Sequence, residues 1–159
     1  MTQIPPQVNQ ATPDRLTIVA WPDPRTEARG HRPGSPYVEA VWLGILGPST
    51  TLCWQRLARL ATAREATAID SVDLAVSLGL GESLGRNAPI SRTLGRMVAF
   101  GAAQRCGETL AVRQALPDVP ERMTGRLSYT ARLAHQHWAQ HDSGRSVEAN
   151  PVAAMEVGV

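Results

Sequence analysis

Two arginines four positions apart, Arg92 and Arg96, sit in the stretch APISRTLGRMVAFG (residues 88–101). Around them Ile90, Leu94, Met97 and Val98 recur at i, i+4, i+7 and i+8, the spacing of one buried helical face. The opposite side then carries Ser91, Arg92, Thr93 and Arg96, with little bulk beyond the two guanidinium groups. Neighbours at i, i+4 project together, and like charges there are mildly destabilising in an isolated helix. An anionic partner removes that cost. A guanidinium is a planar fork that grips a phosphate or a guanine edge through two hydrogen bonds. Arg86, ahead of the helix, is placed to meet a phosphate at its N-terminal dipole, and Arg105 and Arg113 belong to the segment that follows. Solvated surface charge is the plain alternative for any one of these side chains.

The charge distribution favours the cluster. All 16 basic residues of the 159-residue chain are arginine, and the net charge is +2. Between Arg86 and Trp138, eight arginines face only Glu108, Asp118 and Glu121, so this stretch carries +5 and the rest of the chain −3. Such asymmetry points a basic face at an anionic partner.

Other chemistries have weaker support. GLGESLG (residues 79–85) follows a helical pattern rather than a strand and lacks a Gly-Lys-Ser/Thr ending, so the glycines read as a turn and not a phosphate loop. His135, His137 and His141 cluster near the C-terminal end, but only the last two share a helical face and no thiol or paired carboxylate accompanies them. We expect no metal and no cofactor. Cys53 and Cys106 lie 53 positions apart with no CxxC partner and read as reduced thiols, the first in the core and the second at a turn beside Arg105. Ser35, Ser49 and Ser91 read as loop, cap and helix-surface residues, with no base and orienting acid in any recognisable motif. The expectation is a protein that is not an enzyme.

The elements that must position these residues follow from the same pattern. RLTIVAW (residues 15–21) reads as a short strand and the proline-rich residues 22–36 as an irregular loop. YVEAVWLGIL (37–46) predicts a short helix. Ser49 is the expected N-cap of a longer one over residues 49–65, with Leu52, Cys53, Leu57 and Leu60 inward. Asp70 caps a helix ending at Gly79, while Asn87 and Pro89 start the arginine-bearing helix, 89–100. Residues 102–114 predict a β-hairpin turning at Gly107. Met123, Leu127, Ala131, Ala134 and Trp138 mark a last helix over about 121–141. Residues 1–13 and 142–159 read as a flexible N-terminal tail and a disordered C-terminal one, leaving a single domain over 14–141.

The order helix, helix, helix, hairpin, helix, with IDSVDLAVSLGLG followed by ISRTLGRMVAFGAAQ, resembles the winged helix-turn-helix DNA-binding superfamily over residues 49–114. The resemblance implies a mainly α fold with a small β-hairpin (α+β), extended by an N-terminal strand and helix and by a long C-terminal helix. It makes 71–78 the positioning helix, 89–100 the recognition helix and 105–108 the tip of the wing. The connection over residues 79–89 is longer than the usual three or four residues of such a turn, which tilts the recognition helix relative to standard docking.

On this reading the chain is a sequence-specific DNA-binding regulator of transcription. Its contacts to double-stranded DNA come from Arg86, Ser91, Arg92, Thr93, Arg96, Arg105 and Arg113. A homodimer is expected, because one short helix reads few base pairs. Trp21, Tyr37, Trp42 and Trp138 are the candidates for a dimer or partner interface. The competing reading is a protein-interaction module on the same scaffold, centred on Trp21, Tyr37 and Trp42 and binding, for example, a component of the transcription machinery. No apolar run reaches the length of a membrane span and residues 1–15 lack a signal-peptide pattern, which predicts a cytoplasmic, nucleoid-associated protein without a membrane partner.

Overall fold

The computed structural model describes residues 9–61 and 64–145. Alternation in RLTIVA sends Leu16 and Ile18 to one fully buried face, and β1 (Arg15–Ala20) takes an inner place in a four-stranded mixed sheet. With β2 (Thr67–Asp70), β3 (Ala103–Cys106) and β4 (Thr109–Val112), the order is β2–β1–β4–β3. β1 pairs antiparallel with β2 (Thr17 opposite Ala68) and parallel with β4 (Ile18 opposite Leu110). β3 and β4 form the hairpin expected from sequence, Cys106 facing Thr109 across a turn in which Gly107 has φ +59°.

The fold class is therefore α+β, with more sheet than a hairpin alone. β2 is the unforeseen strand. It runs directly into α4 (Ser71–Ser77), which begins where expected: the Asp70 carboxylate accepts the Asp73 amide at 2.8 Å.

Several boundaries differ from expectation, each for a local reason. α1 (Pro24–Arg29) forms inside the proline-rich stretch because Asp23 accepts the Thr26 amide and Pro24 occupies the first turn. Residues 37–46 coil as a π-helical turn, Val38–Trp42, before α2 (Leu43–Leu46). α3 (Pro48–Leu60) is capped by Gly47, not Ser49, since Pro48 already stands at its first turn. It stops at Leu60, short of residue 65, where the Gln114 side-chain amide donates to the carbonyls of Ala58 and Ala61 at 2.8 and 2.7 Å. α5 (Pro89–Ala99) is capped by Ala88 rather than Asn87. The predicted last helix divides into a 3-10 segment, Glu121–Arg126, and α6 (Tyr129–Arg145).

One core holds the helices on the sheet. Leu110 and Val112 of β4 join Leu16 and Ile18, and over them lie Tyr37, Val38, Val41, Trp42, Trp54, Leu57, Ile90, Leu94 and Met97. Two indoles complete their hydrogen bonding within it: Trp42 Nε1 donates to the Pro117 carbonyl at 2.8 Å and Trp54 Nε1 to that of Arg113 at 2.9 Å. Residues 9–13 are not a free tail. Thr12 is buried, its amide donates to the Leu84 carbonyl at 2.8 Å, and the segment crosses one flank of α5. Residues 1–8 and 146–159 of the two expected tails lie outside the described residues, and α6 continues through Arg145. Among the described residues, no helix is long and apolar enough to cross a membrane.

Candidate nucleic-acid interface

α5 places the arginine pair. Pro89 fixes the first turn, and the apolar residues that motivated the helix, Ile90, Leu94 and Met97, are fully buried or nearly so. The exposed residues are Pro89, Arg92, Arg96 and Ala99, which at 100° per residue span an arc of only about 80°. That stripe presents two guanidinium groups and otherwise only small side chains.

Both arginines line a cleft of about 580 Å³ between α5 and the start of α3, walled by Gly47, Pro48, Ser49 and Thr50. Arg96 reaches Gly47 closely: its Nη1 lies 3.4 Å from where a Cβ would stand there. None of the residues lining this cleft is acidic, and among the described residues neither arginine makes an ion pair. The 13-residue α3 directs its N-terminus into the cleft and adds positive potential.

Ser91 and Thr93, expected on the exposed side, are buried at 1 % and 6 % exposure. The apolar stripe understated the covered arc because both flanks of α5 are occupied. Ser91 Oγ donates to the Leu84 carbonyl at 3.2 Å and accepts the Thr12 hydroxyl at 2.8 Å. Thr93 Oγ1 donates back to the Pro89 carbonyl at 2.8 Å. Both hydroxyls are structural. Gly95 lets Asn9 lie close on this flank: a Cβ there would stand 2.6 Å from the Asn9 side-chain oxygen, which would have to swing aside.

The hairpin arginines are also committed elsewhere. Arg105 is half-buried; its Nη2 donates to the Ala11 carbonyl at 2.9 Å and its Nε to that of Gly107 at 3.2 Å, tying the N-terminal segment to the hairpin. Burial holds its guanidinium below the usual arginine range. Arg113 lies over the Trp21 ring, 4.1 Å from its centroid, and its Nη2 is 3.2 Å from Asp23 Oδ2. Hydrogen bonds from Thr26 hold the Asp23 carboxyl below the ordinary carboxylate range, and Arg113 adds to the effect. Of the expected arginines, Arg86, Arg92 and Arg96 are exposed.

The aromatic candidates are mainly core. Tyr37 is fully buried and Trp42 is 2 % exposed, so neither offers a partner surface. Tyr37 Oη accepts the Val119 amide at 2.9 Å and pairs with His135 Nδ1 at 2.8 Å. His31 stacks on its ring at 3.8 Å and pairs through Nε2 with Asp118 Oδ1 at 2.5 Å. Trp138 packs edge-on against both rings and seats α6 on the body of the molecule. Trp21 is half-buried beneath Arg113. These long-range pairings join residues about 80 to 100 positions apart and have no local signature in sequence.

His137 and His141 do share a face, 4.1 Å apart, while His135 is engaged with Tyr37; the described residues contain no group suited to hold a metal ion. Cys53 is buried and burial pushes its thiol up to about 12, whereas Cys106 is exposed at the end of β3. Sequence reasoning missed the wall opposite the arginines. The Gly47–Pro48 step, which lies between the two helices expected from sequence, opens α3 toward α5. No family model, curated protein or solved structure matches the chain.

Proposed function

We propose that this protein binds double-stranded DNA through the exposed stripe of α5, as a sequence-specific regulator of transcription on a winged-helix-like scaffold. The observation that carries the reading is the state of Arg92 and Arg96: exposed, without an ion pair among the described residues, and on a stripe otherwise made of small residues. A guanidinium pair on a narrow helical ridge suits a groove about 12 Å wide, where it reaches base edges or the flanking phosphates. The order α3, α4, α5 and the β3–β4 hairpin supports the same assignment, with two departures. β1 stands between β2 and β4, and residues 78–88 make a long connection between α4 and α5.

Arg86, exposed ahead of α5, is the third proposed contact, to a phosphate. Arg105 and Arg113 act through the fold, one fastening the N-terminal segment and the other bracing Trp21. Two copies acting on a two-fold site would read more sequence than one short helix can. Tyr129 and Leu133, four apart and exposed on α6, are the proposed apolar contacts of such a pairing. A partner-binding module centred on Tyr37 and Trp42 is disfavoured by their burial.

Fluorescence anisotropy with a pool of duplex fragments, over a salt series, tests the proposal. Salt-sensitive binding that retains preferred fragments, and that Arg92→Ala/Arg96→Ala abolishes without unfolding the chain, is expected. Binding indifferent to both substitutions would refute it.

A further inference from the structure

A second basic cleft lies past the C-terminal end of α5. It measures about 370 Å³ and is bounded by apolar side chains, Trp42, Phe100 and Met123 the largest among them, and by three guanidinium-bearing ones, Arg113, Arg122 and Arg126. None of its lining residues is acidic. Arg122 and Arg126 are exposed and make no ion pair among the described residues. Arg113 is braced from outside the cleft by Asp23 and Trp21, and its Nε is buried without a hydrogen-bond partner. One carboxylate thus answers three positive groups, and that carboxylate is not in the cleft.

From this arrangement we propose that the cleft binds a small amphiphilic organic anion, a carboxylate carried on a flat apolar body. The volume falls in the range of about 300–1,000 Å³ usual for small-molecule sites. It holds far more than a bare inorganic ion, and an ion alone leaves the apolar wall wet. Phe100 and Met123 cover the apolar body, while guanidinium forks take the carboxylate in charge-assisted pairs. The Trp42 indole is almost wholly covered and its N–H is already satisfied by the Pro117 carbonyl, so it closes the floor of the cleft and adds no competing donor.

Binding here does not depend on the DNA reading. Its consequence does: Ala99 and Phe100 line both this cleft and the one holding Arg92 and Arg96, so a ligand packed on Phe100 bears on the end of the DNA-reading helix.

The test titrates the full chain with naphthoate, followed by calorimetry and amide NMR shifts, beside the neutral alcohol naphthylmethanol and beside acetate. Saturable binding at millimolar concentration or below is expected, with shifts centred on Phe100, Gly101 and Met123. The alcohol and acetate each bind about tenfold more weakly or worse, one lacking the charge and the other the body. Arg122→Gln/Arg126→Gln, two exposed positions, weakens naphthoate by a similar factor at unchanged melting temperature. Arg92→Ala/Arg96→Ala leaves naphthoate binding intact, which separates this site from the DNA assignment. Absence of a saturable shift, equal binding of the alcohol, or indifference to the Arg122/Arg126 pair would overturn the proposal. So would a loss of duplex affinity in that variant without naphthoate present, which assigns the cleft to a phosphate path instead.

Discussion

Arg92 and Arg96 on α5 and Arg105 and Arg113 on the hairpin and its exit are the same residue type within one basic stretch, yet they occupy opposite states. The first pair stands exposed and without an ion pair among the described residues. The second is tied inward, Arg105 by backbone carbonyls and Arg113 by Asp23 and the Trp21 ring. A guanidinium held against the fold in this way is not presented to a duplex beside α5, although Arg113 keeps an unpartnered Nε toward the second cleft. What separates a free arginine from a bracing one is the partner set that folding supplies.

That contrast is broken or sharpened by four variants. The largest effect is expected from Arg92→Ala/Arg96→Ala. Each loss costs about 1–3 kcal/mol of duplex affinity, while stability stays within about 0.5 kcal/mol because neither side chain is buried. Anisotropy and urea unfolding on the same preparations measure the two quantities.

Ser91→Ala, one position away on the same helix, reverses that pattern. It removes the bonds to Thr12 and to the Leu84 carbonyl in a buried setting. A loss of about 1–3 kcal/mol of stability is expected in urea unfolding, with duplex affinity of the folded protein unchanged.

Arg113→Ala should cost about 1 kcal/mol of stability through the lost stacking on Trp21 and leave the salt dependence of DNA binding as it was. A change in that dependence would move Arg113 into the binding group.

A further effect is read at high pH. Burial pushes the Tyr37 hydroxyl up to about 12 from its ordinary value of 10.0. The unfolded chain therefore ionises first. Tyr37's contribution is intact below about pH 10 and is lost as pH rises towards 12. Tyr37→Phe should be less stable at neutral pH yet lack that alkaline decline, as urea midpoints against pH would record.

Much of this fold was legible wherever the signal was local. The alternation in residues 15–20, the Asp70 cap, Pro89 at a first turn and Gly107 in the hairpin each specify their element within a few residues. β2 was not legible, because TAID has no periodicity of its own and becomes a strand only through the edge that β1 offers. α1 had its signal in Asp23 and Pro24, but the surrounding prolines obscured it. In the candidate site, the 3.6-residue period was enough to turn Arg92 and Arg96 outward. It was not enough for Ser91 and Thr93, whose burial depends on the N-terminal segment and on α3 closing the flanks. The fates of Tyr37, Trp42 and Trp138 were hidden for the same reason: an aromatic residue in a sequence does not declare whether it will be covered.

The division between free and tied arginines is tested most directly by the slope of log affinity against log salt for duplex DNA. The wild type would be compared with Arg92→Ala/Arg96→Ala and with Arg105→Ala/Arg113→Ala, each checked as folded by circular dichroism. Each lost phosphate contact flattens the slope by about 0.9, so the first variant should be shallower by up to about 1.8 for each copy bound and the second should match the wild type. Equal slopes for wild type and first variant, or a flattened slope only in the second, would contradict the assignment of α5 as the DNA-binding element.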